Sequence, residues 1–420
     1  MKFKKNLILK KIIENYKVKK NRYTYPLLDN AFSTQDILEG IKVLLTRQIT
    51  MSKVVKKFEE KFAKFVGSKY ALMVNSGSSA NLLAVFASCN PLRKNRFYPN
   101  DEAIIPSLCW STSLWPLVQA GLKPIFIDVD KSTMNVNADE LIKKITNRTK
   151  LIMAIHVLGN STDILKIREM CKKKSIILIE DTCESLGSKF KNKYLGTFGD
   201  FGTYSFYYSH QITSGEGGMI VCSSEDDYKL LHALRAHGWA RGPNEKKNNR
   251  FYKNKDKRFI FINTGFNLRP TEISAAIGLN QFKRLNKFIS IRKENRNKII
   301  RTIKLSKKWN HQFEFLEPSE NVNPSWFGLP ILVNKKYIKI KNKFLNYLAK
   351  KGVETRPIIS GNFLNQPAAK LYKLNPKKIS FKGSQQVEDR GFFIGLHTKK
   401  ISIQQLNIIK KSFSYIDNLI

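Results

Sequence analysis

Cysteine is scarce in this 420-residue chain. There are five, Cys89, Cys109, Cys171, Cys183 and Cys222, odd in number and widely spaced. No CxxC or comparable spacing occurs, so neither a disulfide scaffold nor a metal site is read from them. Free thiols in a reducing cytoplasm are the expectation. Glycine and proline are also sparse, at 22 and 14 residues, which excludes a collagen-like or low-complexity chain. Long apolar runs are missing: none approaches the roughly 20 residues that span a bilayer. The N-terminal stretch is basic, but Lys10 and Lys11 interrupt its apolar residues and no small-residue cleavage site follows. It does not read as a secretory signal. A solvated basic extension is expected there, with an amphipathic surface helix as the alternative.

Acidic residues are few. Asp plus Glu number 33 against 74 Lys plus Arg, a formal charge of +41. Nucleic-acid binding is one reading of that excess. The other is compositional drift over an ordinary surface, because net charge speaks to solubility and adhesion rather than to fold. Hydrophobic residues make up 42% of the chain, enough for a buried core, and this excludes wholesale disorder.

From Ala71 onward, short β-rich runs alternate with helical patterns. Expected strands are Ala71–Asn75, Glu102–Pro106, Pro124–Val129, Leu151–His156, Ile176–Asp181, Gly202–Tyr207 and Gly218–Cys222. Expected helices are Ser79–Ser88, Ser113–Ala120, Ala138–Ile145 and Asp163–Lys174. This alternation predicts an α/β layer around a mostly parallel sheet. Residues 242–258 form a polar loop with seven basic and two acidic residues, and a long helical segment runs from about Pro270 through Lys304. A strand (Phe327–Val333), a helix (Lys335–Lys351) and further short elements predict a smaller C-terminal α+β domain. The expected units are a basic extension (1–24), a large α/β domain (25–285) and a small domain (286–420).

Three segments at strand ends carry site-like chemistry. Asn75-Ser-Gly-Ser-Ser-Ala-Asn81 follows a strand and opens a helix, which suits backbone N–H groups to an anion. Ile179-Glu-Asp-Thr-Cys-Glu184 ends an apolar strand, where Asp181 can pair with a cationic ring nitrogen or a metal, or simply cap a helix. Tyr204–Gly218 leads from a strand through a polar turn containing His210 to a Gly-rich return. Together these supply an anion nest, an acid and a titratable base.

These motifs resemble the DegT-type sugar aminotransferases, fold type I enzymes dependent on pyridoxal phosphate (PLP). Supporting stretches are Phe58-Glu-Glu-Lys-Phe-Ala63, Trp110-Ser-Thr112, Leu158-Gly-Asn160, Arg235-Ala-His-Gly-Trp239, Asn267-Leu-Arg-Pro270, Arg356–Phe363 and Phe393-Ile-Gly-Leu-His397. The resemblance runs from about Tyr25 to the C-terminus. It implies a mixed, mostly parallel sheet flanked by helices. In that family the third motif carries the Lys that binds PLP covalently. Here His210 takes that place, and no Lys occurs between Lys193 and Lys229.

A His at that position resembles the sugar 3-dehydratase branch. The implied substrate is a nucleotide-linked 4-keto-6-deoxyhexose, with a GDP-linked mannose derivative favoured over a CDP-linked glucose one. The implied setting is deoxysugar and lipopolysaccharide O-antigen biosynthesis. The cofactor is expected noncovalently, as PLP and its amine form, pyridoxamine phosphate (PMP), with glutamate as amino donor. The resemblance implies that Gly77, Ser78 and Ser205 hold the phosphate, Asp181 the pyridine nitrogen, and Trp110 the ring face. Glu184 would contact the ring hydroxyl or a water. His210, with a pKa near neutrality, would be the catalytic base. Asn267 and Arg269 would come from the second subunit of a homodimer with shared active sites, Asn267 to the phosphate and Arg269 to the donor carboxylate. His156, Arg356 and His397 are further candidates for the substrate pocket. Gln211 stands where the branch often has a second His. One cysteine beyond His210, Cys222, cannot hold an iron–sulfur cluster, so the cluster-free branch is expected. A sugar aminotransferase with an atypical base is the enzymatic alternative. A noncatalytic basic nucleic-acid-binding protein, supported only by the basic and aromatic residues of Arg250–Phe261, is the remote one. The acidic residues of Glu180–Glu216 favour a small-molecule site over nucleic acid, and the surplus charge reads as drifted surface.

Overall fold

The computed structural model describes residue 9 and residues 11–16, 21–29, 32–247 and 256–420. Much of the basic extension 1–24 and the middle of the loop 242–258 lie outside the described residues. In chain order the first strands are β1 (Tyr70–Val74), β2 (Glu102–Pro106), β3 (Lys123–Ile127), β4 (Thr149–Ile155), β5 (Ile177–Asp181), β6 (Lys189–Phe190), β7 (Lys193–Tyr194), β8 (Phe201–Ser205) and β9 (Gly218–Cys222). Seven of them make one sheet in the order β1-β9-β8-β5-β4-β2-β3. Only β9 runs against its neighbours; every other adjacent pair is parallel. The C-terminal ends of β1, β8, β5, β4, β2 and β3 therefore share one edge.

Every residue of β2, β5, β8 and β9 is buried, as expected of strands covered on both faces. Alternate residues feed opposite cores. Ile104, Ile152 and Leu178 enter one hydrophobic cluster, while Ile105, Met153 and Ile179 enter another. The first cluster continues without a break into the C-terminal sheet through Leu329, Ile331 and Phe392.

That second sheet uses β10 (Phe313–Phe315), β12 (Gly328–Val333), β13 (Thr355–Arg356) and β14 (Gly391–Gly395), ordered β10-β12-β14-β13 and antiparallel throughout. Between them β11 (Val322–Asn323) joins β6 and β7 in a small third sheet. The helical segment expected across Pro270–Lys304 is two helices, Glu272–Phe282 and Leu285–Lys304. The break at Lys283 and Arg284 carries no Gly or Pro to announce it. Asp36, in the first turn of helix Thr34–Thr46, explains why the first helix docks where it does: its carboxylate accepts from Asn280 Nδ2 at 2.7 Å and Gln281 Nε2 at 2.9 Å. Tyr25 bridges to Val353 and donates its hydroxyl to the Gly395 carbonyl at 2.8 Å, so the chain enters beside the C-terminal sheet.

Candidate functional site

A cavity of about 550 Å³ opens at the shared strand edge. Its walls come from the ends of β1, β5 and β8, the start of helix Ser111–Gln119, and Phe327, Arg356 and Phe393 of the C-terminal sheet region. This is where open α/β sheets place ligands.

The anion end is the start of helix Gly77–Ser88. Ser76 caps it, its hydroxyl accepting from the Ser79 amide at 3.0 Å. Gly77 packs so tightly that an added Cβ would lie 2.6 Å from Ser205 Cβ and 2.9 Å from Cys183 Sγ. Ser78 donates its hydroxyl to Thr112 Oγ1 at 2.9 Å, and Ser205 closes the nest from β8. Hydroxyls and free helix-start N–H groups around one hollow suit a phosphate dianion.

Asp181 ends β5 inside the cavity wall. Its Oδ2 accepts from Asn81 Nδ2 at 2.8 Å and from Ser113 Oγ at 2.7 Å, and its Oδ1 accepts from the Cys183 amide at 3.1 Å. Thr203 donates to Asn81 Oδ1 at 2.6 Å, which orients that amide with its NH₂ toward the carboxylate. The Asp181 carboxyl is thus held by neutral donors, and among the described residues no cation pairs with it. That leaves its charge to a cationic ring nitrogen. Trp110, at the cap of helix Ser111–Gln119, is 55% exposed and presents its indole to the same hollow. Anion nest, carboxylate and aromatic face fit the residues expected to hold PLP.

His210 lines the opposite wall. Its ring packs edge-on against Phe327 at 5.1 Å and Tyr207 at 6.0 Å. Nδ1 is buried without a partner, which leaves Nε2 as the nitrogen facing the cavity. Burial, with the Arg292 guanidinium nearby, pushes the imidazole pKa down to about 3. The near-neutral value expected from the sequence is corrected accordingly: desolvation keeps the ring neutral in the absence of an anionic ligand. Glu184 moves the other way. Burial first, and the Asp181 charge after it, push its carboxyl up to about 7, although the Leu158 amide donates to it at 2.9 Å.

The cavity gathers Gly77, Ser78, Trp110, His156, Asp181, Glu184, Ser205, His210 and Arg356. Within that set His156 has both ring nitrogens engaged, Nε2 with Glu180 at 3.0 Å and Nδ1 with Ser161 at 2.9 Å. It offers the cavity a ring surface rather than a hydrogen bond. His397 is not among the lining residues; it stacks on Tyr25 and its Nε2 lies 2.7 Å from the Pro26 carbonyl. Asn267 and Arg269 also lie outside this cavity, joined to each other by a 2.9 Å hydrogen bond on the surface. Gln211 turns away from the hollow and donates to the Glu184 carbonyl at 2.6 Å. Sequence reasoning missed Asn81 and Ser113 as supports of Asp181. A polar Asn four residues into an apolar helix was the available signal for the first.

The similarities to known proteins agree with this geometry. GDP-4-keto-6-deoxy-D-mannose 3-dehydratase of Escherichia coli O55:H7 is 37% identical over 89% of this chain and 95% of its own. The Yersinia pseudotuberculosis protein of the same name is 34% identical over 94% and 100%. A solved structure of GDP-4-keto-6-deoxymannose-3-dehydratase (ColD), a mutant with bound GDP-perosamine, superposes with a TM-score of 0.84 at 35% identity, covering 93% of this chain and 100% of that one. Another, of the same enzyme with a trapped PLP–glutamate geminal diamine, gives 0.83 at 33%, over 94% and 100%. Residues 32–411 match the model of one family, and the chain belongs to it: the DegT/DnrJ/EryC1/StrS aminotransferase family.

Proposed function

We propose that this protein is a sugar-nucleotide 3-dehydratase. It acts on GDP-4-keto-6-deoxy-D-mannose and uses PLP, cycled to PMP by glutamate. One observation carries the reading: among the described residues that line the cavity there is no lysine, and the third loop presents the imidazole of His210 there, with Tyr207 and Glu216 beside it. Without a lysine amine in the cavity the enzyme cannot bind the cofactor covalently or displace an amino sugar from it, which favours elimination over amino transfer. The names of the similar proteins support the same substrate.

Asp181 would hold the cofactor's ring nitrogen, Trp110 its face, and Gly77, Ser78 and Ser205 its phosphate. When bound, the cofactor supplies the electron sink that makes loss of the C3 hydroxyl feasible. His210 takes up a proton on Nε2 and delivers one to the departing C3 oxygen. Overall the C3–O bond becomes C–H, and glutamate is oxidised to 2-oxoglutarate and ammonia. Phe327 and Tyr207 shield the His210 ring from water. Glu184, near its own titration point, is suited to exchange a proton with a ring hydroxyl or a bound water. Asn267 and Arg269 complete the site of a partner subunit, with Arg269 binding the donor carboxylate as a bidentate fork.

The test is incubation of the purified protein with PLP, glutamate and GDP-4-keto-6-deoxymannose, followed by mass spectrometry. A sugar nucleotide one oxygen lighter, with equimolar 2-oxoglutarate, is expected. Accumulation of a stable 4-amino sugar would identify an aminotransferase instead.

A further inference from the structure

The surplus positive charge is unevenly placed. Three segments far apart in sequence meet on the outer side of the C-terminal sheet: 301–311, 335–351 and 403–420. They contribute thirteen basic side chains and a single acidic one, the carboxylate of Asp417. That carboxylate is spent inside the junction, because it accepts from Gln312 Nε2 at 2.7 Å and from the Tyr337 hydroxyl. Ser306 and Ser414 pair at 2.7 Å, Tyr347 stacks on Tyr415 at 4.4 Å, and Lys343 donates to the Leu419 carbonyl at 3.0 Å. The three segments therefore form one continuous surface. Lys304, Lys307, Lys308, Lys335, Lys339 and Lys411 are all exposed on it. Exposed apolar side chains stand among them: Leu305 at 65%, Ile338 at 39% and Ile420 at 78%. None of these residues lines the catalytic cavity. The basic chain segment 1–22, with nine basic residues and one acidic, precedes Tyr25 in sequence, and Tyr25 pairs with Val353, just beyond the helix Lys341–Lys350.

We propose that this face docks on an anionic phospholipid membrane. A negative lipid surface attracts each nearby cation by roughly a factor of five in binding constant, and the attraction fades beyond about a Debye length. A net twelve positive side chains in three adjoining segments exceed what a nucleotide sugar needs. The choice of lipid over nucleic acid follows from the residue types. Twelve of the thirteen cations are lysines, compact point charges without arginine's bidentate fork for phosphate and base edges. The exposed apolar groups Leu305, Ile338, Ile403 and Ile420 are aliphatic and can enter an acyl boundary, while the exposed aromatic of these segments, Tyr415, has one ring face covered by Tyr347 and so offers little to a base.

The experiment is co-sedimentation of the full chain with vesicles of phosphatidylglycerol and phosphatidylcholine, over a salt series. Binding that requires phosphatidylglycerol and weakens with salt is expected. A quadruple variant, Lys304→Glu, Lys307→Glu, Lys308→Glu and Lys339→Glu, should lose at least about 100-fold in affinity. A matched control, Lys94→Glu, Lys172→Glu, Lys173→Glu and Lys174→Glu, alters exposed cations elsewhere and should lose no more than about fivefold. Leu305→Asn with Ile420→Asn should weaken binding at fixed charge. Unchanged dehydratase turnover in all variants shows that they fold. Equal losses in the two lysine variants would mean adhesion by net charge alone and would overturn the proposal. So would no effect of the apolar pair, no vesicle binding at low salt, or displacement from vesicles by single-stranded RNA at equal phosphate concentration.

Discussion

Asn81 Nδ2 donates to Asp181 Oδ2 at 2.8 Å, and the same amide is oriented by Thr203 at 2.6 Å. A buried carboxyl group held this way is fixed in direction before any ligand arrives. Asn81→Ala removes one charge-assisted donor, worth about 1.5–3 kcal/mol. The expected result is a 10- to 100-fold weaker PLP affinity by absorbance titration, with the fold intact by circular dichroism. Asp181→Asn should abolish turnover even where PLP still binds, since the ring nitrogen loses its counter-charge.

Gly77→Ala tests the phosphate cradle. The new Cβ would sit 2.6 Å from Ser205 Cβ and 2.9 Å from Cys183 Sγ, distances that force the strand end or the helix start to shift. Overpacking of this kind costs about 1–3 kcal/mol. A lowered melting temperature and a larger loss of affinity for PLP than for the unphosphorylated vitamer pyridoxal are expected. Equal losses for both ligands would remove the phosphate from this hollow.

His210→Lys places an amine where the family ordinarily has one. Borohydride treatment with PLP should then fix a mass increase on residue 210, and dehydration should fall by at least about 1000-fold. The unsubstituted protein should show no such adduct in its cavity. Full dehydratase activity in the variant would show that the base lies elsewhere.

Much of this arrangement was legible in the sequence. Strands Glu102–Pro106 and Gly218–Cys222 stand where their apolar runs ended, because both are buried on two faces and bounded by polar residues. The three loops converge as expected, since all sit at strand ends on one edge. Less legible was anything decided by partners distant in the chain. The split of the helical segment near Lys283 depends on docking of Asn280 and Gln281 against Asp36, about 244 residues away. The low pKa of His210 depends on burial under Phe327 and on Arg292, neither of them near it in sequence. His397 reads as a site residue from its motif, yet Tyr25 and Pro26 occupy it.

Two buried titratable groups in the cavity should tilt ligand-free stability in opposite directions. The Glu184 pKa is raised to about 7 from an ordinary value of 4.5. Its contribution is fully present below pH 4.5 and is lost as pH rises through about 7. Glu184→Gln should therefore stabilise the protein at pH 8, by up to about 3 kcal/mol, and change little at pH 4.5. The His210 pKa is lowered to about 3 from 6.5. Its contribution is present above pH 6.5 and drains away as pH falls toward 3, so His210→Asn should flatten the acid limb. Urea titrations at four or five pH values separate the two; parallel curves for wild type and Glu184→Gln would refute the raised carboxyl.

Asn267 and Arg269 lie on the surface, away from their own subunit's cavity, and this makes a mixing experiment decisive. Arg269→Ala should be inactive because its partner's site lacks the donor-carboxylate fork. His210→Asn should be inactive because its own site lacks the base. In a mixed dimer one of the two sites draws His210 from the first subunit and Arg269 from the second, so it is whole. Random reassortment makes half of the dimers mixed, each with one working site, so about a quarter of wild-type activity should return. The recovered activity should show the wild-type KM for glutamate, because the intact site is unaltered. If the two variants stay inactive after dissociation and reassembly, Arg269 serves its own subunit and the shared site is lost as an explanation.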